Sequence, residues 1–418
     1  MAVHPLDLVL FGATGFTGRL VAEYLADRVG TDARIGLAGR SAARLAAVRD
    51  ALPAAARHWP VVVADTGDPS SLRGLARHAR VVVTTVGPYA EYGLPLVAAC
   101  AAAGTHYADL TGEVLFMRDS IDRYHETAQA SGARIVHSCG FDSIPSDLGV
   151  WDLAQAVAAD GEGELTDTTL VVTAMRGGVS GGTLASARTE LAAARSDPSR
   201  RQVVADPYAL SPARQAEPDL GDEGDVRGTF FDDHVGQWVA PFVMAGVNTR
   251  VVRRSNALLD YRYGRRFRYR EVSGLGTGPQ APAKGAALAA GLGGLTALLG
   301  HPVTGGVADS VAERALPKPG EGPDEATRRT GYFRIEIVTT TSTGARYLER
   351  VEATGDPGYA ATCVMLGEAG LALAQDEDRL PGVAGVLTPA AAFDGVLMQR
   401  LRAAGMTFQA HRLDRADS

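Results

Sequence analysis

Short apolar runs alternate with helical stretches over the first third of the chain. Six runs have the apolar, β-branched composition of strands, and the stretches between them repeat apolar residues every three or four positions. The predicted strands are 6–11, 34–38, 61–64, 80–86, 106–110 and 134–138, and the predicted helices are 17–28, 42–52, 71–77, 94–103 and 116–131. Because apolar strands linked by helices are covered on both faces, this pattern predicts a doubly wound parallel sheet of the Rossmann type in an α/β fold.

The rhythm changes after residue 140. Helices are predicted at 147–159 and 183–195, and strands at 168–175, 262–272, 332–341 and 347–353. Residues 196–229 and 317–323 are rich in Pro, Gly and charged residues, which predicts loops. Strands joined by loops rather than by regular helices predict a second α+β domain built on a mostly antiparallel sheet.

The C-terminal region predicts an amphipathic helix. Thr388 is an N-cap candidate, Pro389 suits the first helical position, and Gly405 suits the end. The apolar stripe consists of Phe393, Val396, Leu397 and Leu401. We therefore expect three parts: a dinucleotide-binding domain at 1–140, a substrate or dimerisation domain at 141–375, and a segment at 376–418 that returns to the first domain.

Composition narrows the class of protein. The 418 residues are 46% hydrophobic and 21% charged, with a net charge of −7, which is typical of a globular protein of two or three domains. No basic stripe runs along the chain, apart from the alternating Tyr/Arg cluster at 261–270, so nucleic acid is not an expected partner. Cys100, Cys139 and Cys363 form no CxxC pair and the histidines have no ligand spacing, so no metal is predicted. The N-terminus lacks a signal-peptide layout, which predicts a cytoplasmic location.

One apolar segment bears on membrane contact. Residues 285–300 are uncharged and rich in Ala, Leu and Gly, but 16 residues are fewer than the ~20 needed to cross a bilayer. A buried or lid helix is the first interpretation. The alternative is a surface, including Leu295 and Leu298, that meets lipid or the acyl carrier of a partner, so membrane contact is at most peripheral.

A glycine-rich loop follows the first strand and opens the first helix. It has the pattern GxxGxxG and comprises Gly12, Ala13, Thr14, Gly15, Phe16, Thr17 and Gly18. Gly12 suits the tight turn, Gly15 allows close approach of a pyrophosphate, and Gly18 lets the helix lie close to the sheet. The N–H groups at the helix start favour an anion, so this loop predicts a dinucleotide site rather than a bare turn.

The ends of the next strands predict the cofactor. An NAD enzyme usually carries an acid after the second strand, whereas this chain has Arg40 and Ser41, which suit the extra phosphate of NADP. Asp65 is placed to accept from the adenine amino group, or else to cap a helix. The fourth strand ends in Val86, Gly87 and Pro88, where the nicotinamide end should lie.

Several longer segments resemble the saccharopine dehydrogenase-like family, and within it the bacterial trans-acting enoyl reductases. They are GATGFTGRL (12–20), LAGRS (37–41), VGPYAEYGLPLVAACAAAGTHYADLTGE (86–113), CGFDSIPSDLG (139–149), SGGTLAS (180–186) and GVLTPA (385–390). The resemblance implies NADPH-dependent reduction of a carbon–carbon double bond in an acyl chain carried by a partner synthase. Saccharopine enzymes themselves have a GLDPG-like segment where this chain reads GFDSIP (140–145), which argues against an amino-acid substrate.

Polar side chains near the ligand edge of the sheet are the candidates for catalysis. They are Tyr89, Tyr107, Asp109 and Asp142, with Tyr92 and Glu113 nearby. Enoyl reduction needs a donor to the thioester carbonyl and a source of one proton, which a tyrosine, a carboxyl group or helix-start N–H groups could supply. Each candidate also has a structural interpretation as a cap, a salt bridge or a core residue. A second glycine-rich turn at 176–183 could cradle a phosphate or serve as a connector.

Three functions remain open from the sequence. The first is an enoyl reductase that acts on lipid or polyketide acyl chains. The second is an imine or ketone reductase for a small substrate, and the third is a regulatory protein that binds NADP without turnover. An apolar pocket favours the first, and an Arg/Lys pair for carboxylates favours the second. A cleft closed over the nicotinamide favours the third. A homodimer is left open.

Overall fold

The computed structural model describes residues 4–177, 181–300 and 322–413. Its first sheet has seven parallel strands in the order β13-β6-β5-β4-β1-β2-β3. The strands are β1 (Leu6–Phe11), β2 (Ile35–Gly39), β3 (Val61–Val63), β4 (Ala79–Thr84), β5 (His106–Ala108), β6 (Arg134–Val136) and β13 (Gly385–Leu387). Together with the mixed second sheet described below, this confirms the predicted fold class.

Helices link the strands of the first sheet. They are α1 (Phe16–Arg28), α2 (Ala42–Ala51), α3 (Pro69–His78), α4 (Tyr89–Ala103) and α5 (Val114–Ser131). Gly104 and Gly132 follow α4 and α5 with φ of 74° and 82°, a left-handed conformation that glycine adopts at little cost. Because the strands are parallel, their carboxyl ends meet at one edge of the sheet, where the loops that form the site gather.

The second sheet is built around a long central strand. Its order is β14-β12-β11-β7-β10-β9-β8, in which β7 and β10 are parallel and the other neighbours are antiparallel. The strands are β7 (Leu165–Arg176), β8 (Phe230–Asp232), β9 (Gln237–Pro241), β10 (Arg268–Gly276), β11 (Tyr332–Thr341), β12 (Arg346–Thr354) and β14 (Thr407–Leu413).

Helices of the second half cover this sheet and connect it to the first. They are α6 (Ile144–Ala159), α7 (Gly181–Ser196), α8 (Pro198–Ala205), α9 (Ala245–Leu258), α10 (Ala281–Gly300) and α11 (Glu325–Thr330). Helices α6 and α9 pack on the sheet, and α10 packs on β9 and α7. The remaining helices are α12 (Thr362–Gln375), α13 (Pro389–Phe393) and α14 (Gly395–Ala403), and a π-helical turn (Pro357–Ala361) precedes α12.

The end of the chain returns to the first sheet in two ways. Strand β13 pairs with β6, and α12 packs against β1 and β4. A Cβ on Gly370 of α12 would lie 2.5 Å from Val83 Cγ2 and 2.9 Å from Leu8 Cδ1, so the helix backbone touches the sheet directly. The return therefore begins at α12, ahead of the predicted residue 376.

Three predicted elements differ from the structure. Helix α8 lies inside the predicted loop 196–229, and the Asp197 side chain caps it by accepting from Ser199 N. The predicted strand at 262–272 begins only at residue 268, because Tyr261 and Gly264 adopt positive φ in a turn before it. The terminal helix is broken at Asp394, whose φ is 49°.

The cap of the terminal helix also differs from the prediction. The Ala390 N–H donates to Asp147 Oδ2 at 2.8 Å, while the hydroxyl of Thr388 accepts from Ser255. Asp147 therefore takes the capping role predicted for Thr388. Pro389 occupies the predicted first position, and Gly405 follows α14 with φ of 93°.

Some predicted features lie outside the described residues. These are residues 178–180 of the second glycine-rich turn, residues 317–321 of the predicted loop, and the side chains of Leu295 and Leu298. Within the described ranges, no helix combines the length and the apolar character that crossing a membrane would require.

The contact between α12 and the first sheet can be tested with a glycine pair. Gly370→Ala should lower the free energy of unfolding by about 1–3 kcal/mol, because the methyl group has no room against Val83 and Leu8. Gly74→Ala is the matched control, since Gly74 lies within α3 with nothing within 4 Å of its Cβ position. Gly74→Ala should raise the free energy of unfolding by up to about 1 kcal/mol. Urea unfolding measures both; equal stability of the two variants would contradict the contact.

Candidate active site

A cleft of about 640 Å³ runs between the edge of the first sheet and the second half of the molecule. This volume is within the range of ligand sites in proteins. Its wall on the first domain includes the glycine-rich loop and the ends of β2 and β4. Its opposite wall comes from residues that follow β6, β7 and β9 and from the π-helical turn before α12.

The glycine-rich loop fits a phosphate ligand. Gly12 has φ of 95°, and a Cβ there would lie 2.8 Å from Thr85 and Val86. A Cβ on Gly18 would lie 2.2 Å from Gly12 O, so only glycine allows α1 to start against the turn. Gly15 is exposed in the cleft wall at the N-cap of α1. The first N–H groups of a helix lack partners within the helix, so the start of α1 is suited to an anion.

The other loop residues divide into those that line the cleft and one that does not. Thr14, Phe16 and Thr17 line it. Ala13 is fully buried, and its N–H, like that of Gly12, donates to Ala38 O. The predicted cofactor role of Ala13 is therefore reduced to holding the loop on β2.

Two guanidinium groups flank the cleft beyond the end of β2. Arg40 and Arg44 are both exposed and both line the cleft, with Arg19 of α1 in the same wall. No carboxylate lines this end among the described residues, so an additional phosphate would meet positive charge alone. The sequence predicts Arg40 for this role but does not single out Arg44. The position of Arg44, one turn into α2, is a signal that could have identified it.

The side chains of Ser41 and Asp65 accept hydrogen bonds from nearby backbone N–H groups. Ser41 is the N-cap of α2, and its hydroxyl oxygen accepts from Arg44 N at 3.4 Å. Asp65 Oδ1 accepts from Gly67 N at 2.9 Å, and its neighbour Thr66 lines the cleft instead. The structure therefore places Thr66, not Asp65, at the predicted adenine end.

The end of β4 lines the middle of the cleft. Val86, Gly87 and Pro88 are all in the wall, as is Tyr89 at the start of α4. The Tyr89 hydroxyl donates to Thr84 O and accepts from Leu110 N, both at 3.2 Å. Burial raises the pKa of Tyr89 well above its ordinary value, so its proton stays on the hydroxyl. Because both hydrogen bonds of the hydroxyl go to the backbone, Tyr89 is a structural residue rather than the predicted donor.

Tyr107 and Asp109 form a buried hydrogen-bond cluster behind the cleft. Asp109 accepts from the Tyr107 hydroxyl at 2.9 Å, from His137 Nδ1 at 2.7 Å, and from the N–H groups of Thr111 and Ser138. Tyr107 and Asp109 are both fully buried, and neither lines the cleft. The prediction that they contact substrate is therefore corrected: they join β5 to β6.

Glu113 connects the two walls of the cleft. Its carboxylate accepts from Tyr89 N at 2.9 Å and Ala90 N at 2.6 Å, which are the first N–H groups of α4, and from the Ser186 hydroxyl of α7 at 2.5 Å. One turn along α7, Glu190 accepts from Leu115 N at the start of α5 at 2.9 Å. The second half of the chain thus contacts the starts of two helices of the first domain. The sequence pattern places Glu113 near the catalytic candidates, with a loop salt bridge as its structural interpretation, and does not identify Ser186 or Glu190.

The far half of the cleft is apolar. Its lining includes Leu110, Phe141, Met175, Phe242, Val243 and Met244. Met175 and Val243 are 40% and 48% exposed, so this half opens to solvent past apolar side chains. Among the described lining residues, Arg, Lys and His occur only at the cofactor end. The 242–244 segment is absent from the predicted site, because it follows two strands, β8 and β9, that the sequence pattern does not reveal.

Asp142 is the one carboxylate in the described cleft lining. It lies just after β6, with Gly112 and Gly140 on either side: Cβ atoms there would lie 3.4 Å from its two oxygens. The preceding residue is held by a hydrogen bond from Phe141 N to Thr362 Oγ1 at 3.0 Å. Burial, with a contribution from the Asp109 carboxylate, raises the pKa of Asp142 to about 7. Its carboxyl group accepts a hydrogen bond from its own backbone N–H, and of the four predicted catalytic residues it is the one whose carboxyl group lines the cleft.

No group of three or more His, Cys, Asp or Glu side chains in the described part of the chain could hold a metal ion. Cys100, Cys139 and Cys363 are buried and unpaired.

Comparisons with known proteins identify relatives of the chain and of its fold. Residues 8–136 match the family model of the saccharopine dehydrogenase NADP binding domain. A protein of Mycobacterium ulcerans named trans-acting enoyl reductase is 50% identical over 99% of both chains. A Mycobacterium tuberculosis protein, provisionally given the same name, is 56% identical over 98% of both chains. Apo saccharopine dehydrogenase (L-Glu forming) from Saccharomyces cerevisiae shares the fold, with a TM-score of 0.53 at 10% identity over 97% of this chain and 99% of its own.

The two guanidinium groups at the end of β2 give a test of cofactor choice. Arg40→Ala and Arg44→Ala should each weaken NADPH binding about 10- to 100-fold, because each removes hydrogen bonds to a phosphate. NADH binding should change little. Arg49→Ala is the control: Arg49 lies on the same helix, pairs with Asp50 and is absent from the cleft lining. Calorimetric titration with both cofactors measures this; equal losses for NADPH and NADH would refute the assignment.

Proposed function

The chain belongs to the saccharopine dehydrogenase-like family of NADP-dependent oxidoreductases, and we propose that it is an enoyl reductase that saturates a carbon–carbon double bond of an acyl thioester. The two relatives described above, at 50% and 56% identity, are named for this activity. Their names also describe it as trans-acting, which supports a separate acyl synthase as partner. The acyl chain would belong to a lipid or a polyketide.

The apolar half of the cleft is the observation that carries this proposal. Phe141, Phe242 and Met244 supply a surface suited to an acyl chain, and the exposed Met175 and Val243 lie where such a chain would enter. Burying apolar surface stabilises a bound chain by about 25 cal/mol per Å². A long acyl group therefore gains affinity in this half without any charged partner.

The same half does not suit an amino-acid imine. Such a substrate carries carboxylates, which proteins usually bind through Arg or Lys. The described residues of this half offer neither, and their one charged group, Asp142, would repel a carboxylate when ionised. The described residues of this half therefore lack the positively charged side chains that the small-substrate alternative requires.

A regulatory protein that only binds NADP is also less well supported. Such a protein needs no second compartment beside the nicotinamide, yet the apolar half continues from the cofactor half and opens to solvent.

In the proposed enzyme, different residues of the chain would hold different parts of the cofactor and substrate. The start of α1 would hold the diphosphate, Arg40 and Arg44 the additional phosphate, and the apolar wall would exclude water from the reacting carbons. NADPH supplies the hydride when it is bound.

Contact with a partner or membrane surface is a further part of the proposal. Helix α10 exposes Ala286, Ala287, Leu288 and Ala290, and it packs on β9 and α7, both of which adjoin the cleft. We place the enzyme in the cytoplasm, with at most peripheral contact with lipid. A homodimer remains a proposal that sedimentation would test.

A substrate panel tests the proposed function. The protein is incubated with NADPH and long-chain enoyl thioesters, with α-keto acids plus amines, or with simple ketones, and loss of NADPH absorbance is followed. We expect turnover with the thioesters, and a KM that falls as the acyl chain lengthens, because of the apolar wall.

Replacing Met244 with Asp should raise KM for long chains more than for short ones. Turnover only with keto acids would refute the proposal, and tight NADPH binding without turnover on any substrate would favour the regulatory alternative.

A further inference from the structure

Reduction of a double bond needs one proton as well as a hydride, so the cleft must contain or admit a source of that proton. Hydrogen bonding limits which group can be that source, because a hydroxyl or N–H group already donating to the protein is not free to serve a substrate. The donors of the described cleft lining near the apolar half divide by this criterion.

Three of these hydroxyl groups already donate a hydrogen bond to another protein atom. The Tyr89 hydroxyl donates to Thr84 O at 3.2 Å, and the Ser186 hydroxyl donates to Glu113 at 2.5 Å. The Thr362 hydroxyl donates to Pro357 O at 2.7 Å. These three side chains hold the walls in place.

The first N–H groups of α4, beside this part of the cleft, also donate to another protein group. The N–H groups of Tyr89 and Ala90 at the start of α4 donate to the two oxygens of Glu113. An anionic or polarised substrate oxygen would have to displace a buried carboxylate to use them, which is unfavourable. Helix α4 therefore does not provide an oxyanion site in this structure.

Asp142 is the one carboxyl group in the described cleft lining, where Tyr92 and Tyr359 also carry hydroxyl groups. It lies between Gly112 and Gly140, whose missing side chains leave its carboxyl group open to the cleft, beside the apolar residues Leu110, Phe141 and Met244. We propose that Asp142, in its acid form, gives its proton to the α-carbon of the enoyl thioester. This inference rests on the proposed function.

The step balances. The β-carbon receives the hydride, the electron pair of the double bond forms the new C–H bond at the α-carbon with the Asp142 proton, and the carboxylate left behind takes a proton from water. For each turnover, one NADPH is oxidised, one double bond is reduced and one solvent proton is consumed.

The surroundings of Asp142 favour its acid form. Burial raises its pKa to about 7, and the Asp109 carboxylate behind it acts in the same direction. Tyr89, a titratable neighbour in the same wall, stays neutral because burial raises its own pKa further. Since the acid form exists below pH 7, kcat should fall as the pH rises through about 7.

The central experiment compares Asp142→Asn with the wild type. Asn can donate a hydrogen bond but cannot release a proton, so kcat on an enoyl thioester should fall about 10²- to 10⁴-fold. The Kd for NADPH should stay within about twofold. In heavy water the wild type should place one deuterium on the α-carbon. Asp142→Glu should restore part of kcat and shift the high-pH limb.

A matched control is available in the second sheet. Glu349 of β12 is fully buried away from the cleft, and burial raises its pKa to about 9, so it is neutral in the same pH range. Glu349→Gln should therefore leave kcat and its pH profile unchanged. If Asp142→Asn keeps kcat within about threefold of the wild type, the proposal is overturned.

A measurement without substrate separates this inference from the proposed function. Carbon-13 labelling of aspartate carboxyl groups, with the Asp142 signal identified by its loss in Asp142→Asn, gives its titration midpoint in the free protein. A midpoint near 7 supports the retained proton, and a midpoint near 4 overturns it. If the wild type binds NADPH but reduces no enoyl thioester, the proposed function fails, while the titration still decides whether Asp142 holds a proton.

Discussion

The cleft depends on one buried carboxylate, that of Glu113. It accepts two hydrogen bonds from the first turn of α4 and one from Ser186 on α7, so one side chain contacts both walls of the cleft. Hydrogen bonds to a charged group contribute about 1.5–3 kcal/mol each, and losing this acceptor would leave buried N–H groups without a partner. The negative charge at a helix start adds a favourable dipole interaction. The spacing of the cleft walls is therefore set by charge as much as by packing.

This arrangement also assigns different roles to neighbouring helix starts. The helices that follow the strands of the first sheet begin at its ligand edge, where their first N–H groups could bind an anion. Glu113 occupies the start of α4 and Glu190 that of α5, whereas α1 begins at a glycine loop that lines the cleft. In the proposed function, the diphosphate of a dinucleotide would meet the start of α1, with Arg40 and Arg44 nearby. Cofactor position follows from which helix starts the protein has already capped.

Much of the first domain could be predicted because its signals are local. Strand runs, the glycine loop and the glycine caps are each decided within a few residues, and the structure has them where the sequence predicts them. Helix α12 is missed because it is buried on nearly every side and shows no polar face opposite an apolar one. Helix α9 is missed as well, and the sequence does not reveal that its polar residues Asn248, Arg250 and Arg253 are buried.

The roles of the catalytic candidates could not be predicted from the residues next to them in the sequence. Asp109 and Asp142 both follow strands at the same edge of one sheet, so sequence position alone makes them equivalent. Asp109 is turned into a site where His137 and Ser138, from the neighbouring strand, satisfy its oxygens. Asp142 lies between two glycines and has an apolar neighbour in Met244 instead. Since both sets of partners come from distant parts of the chain, only the fold can decide which carboxyl group is a structural acceptor and which is a proton donor.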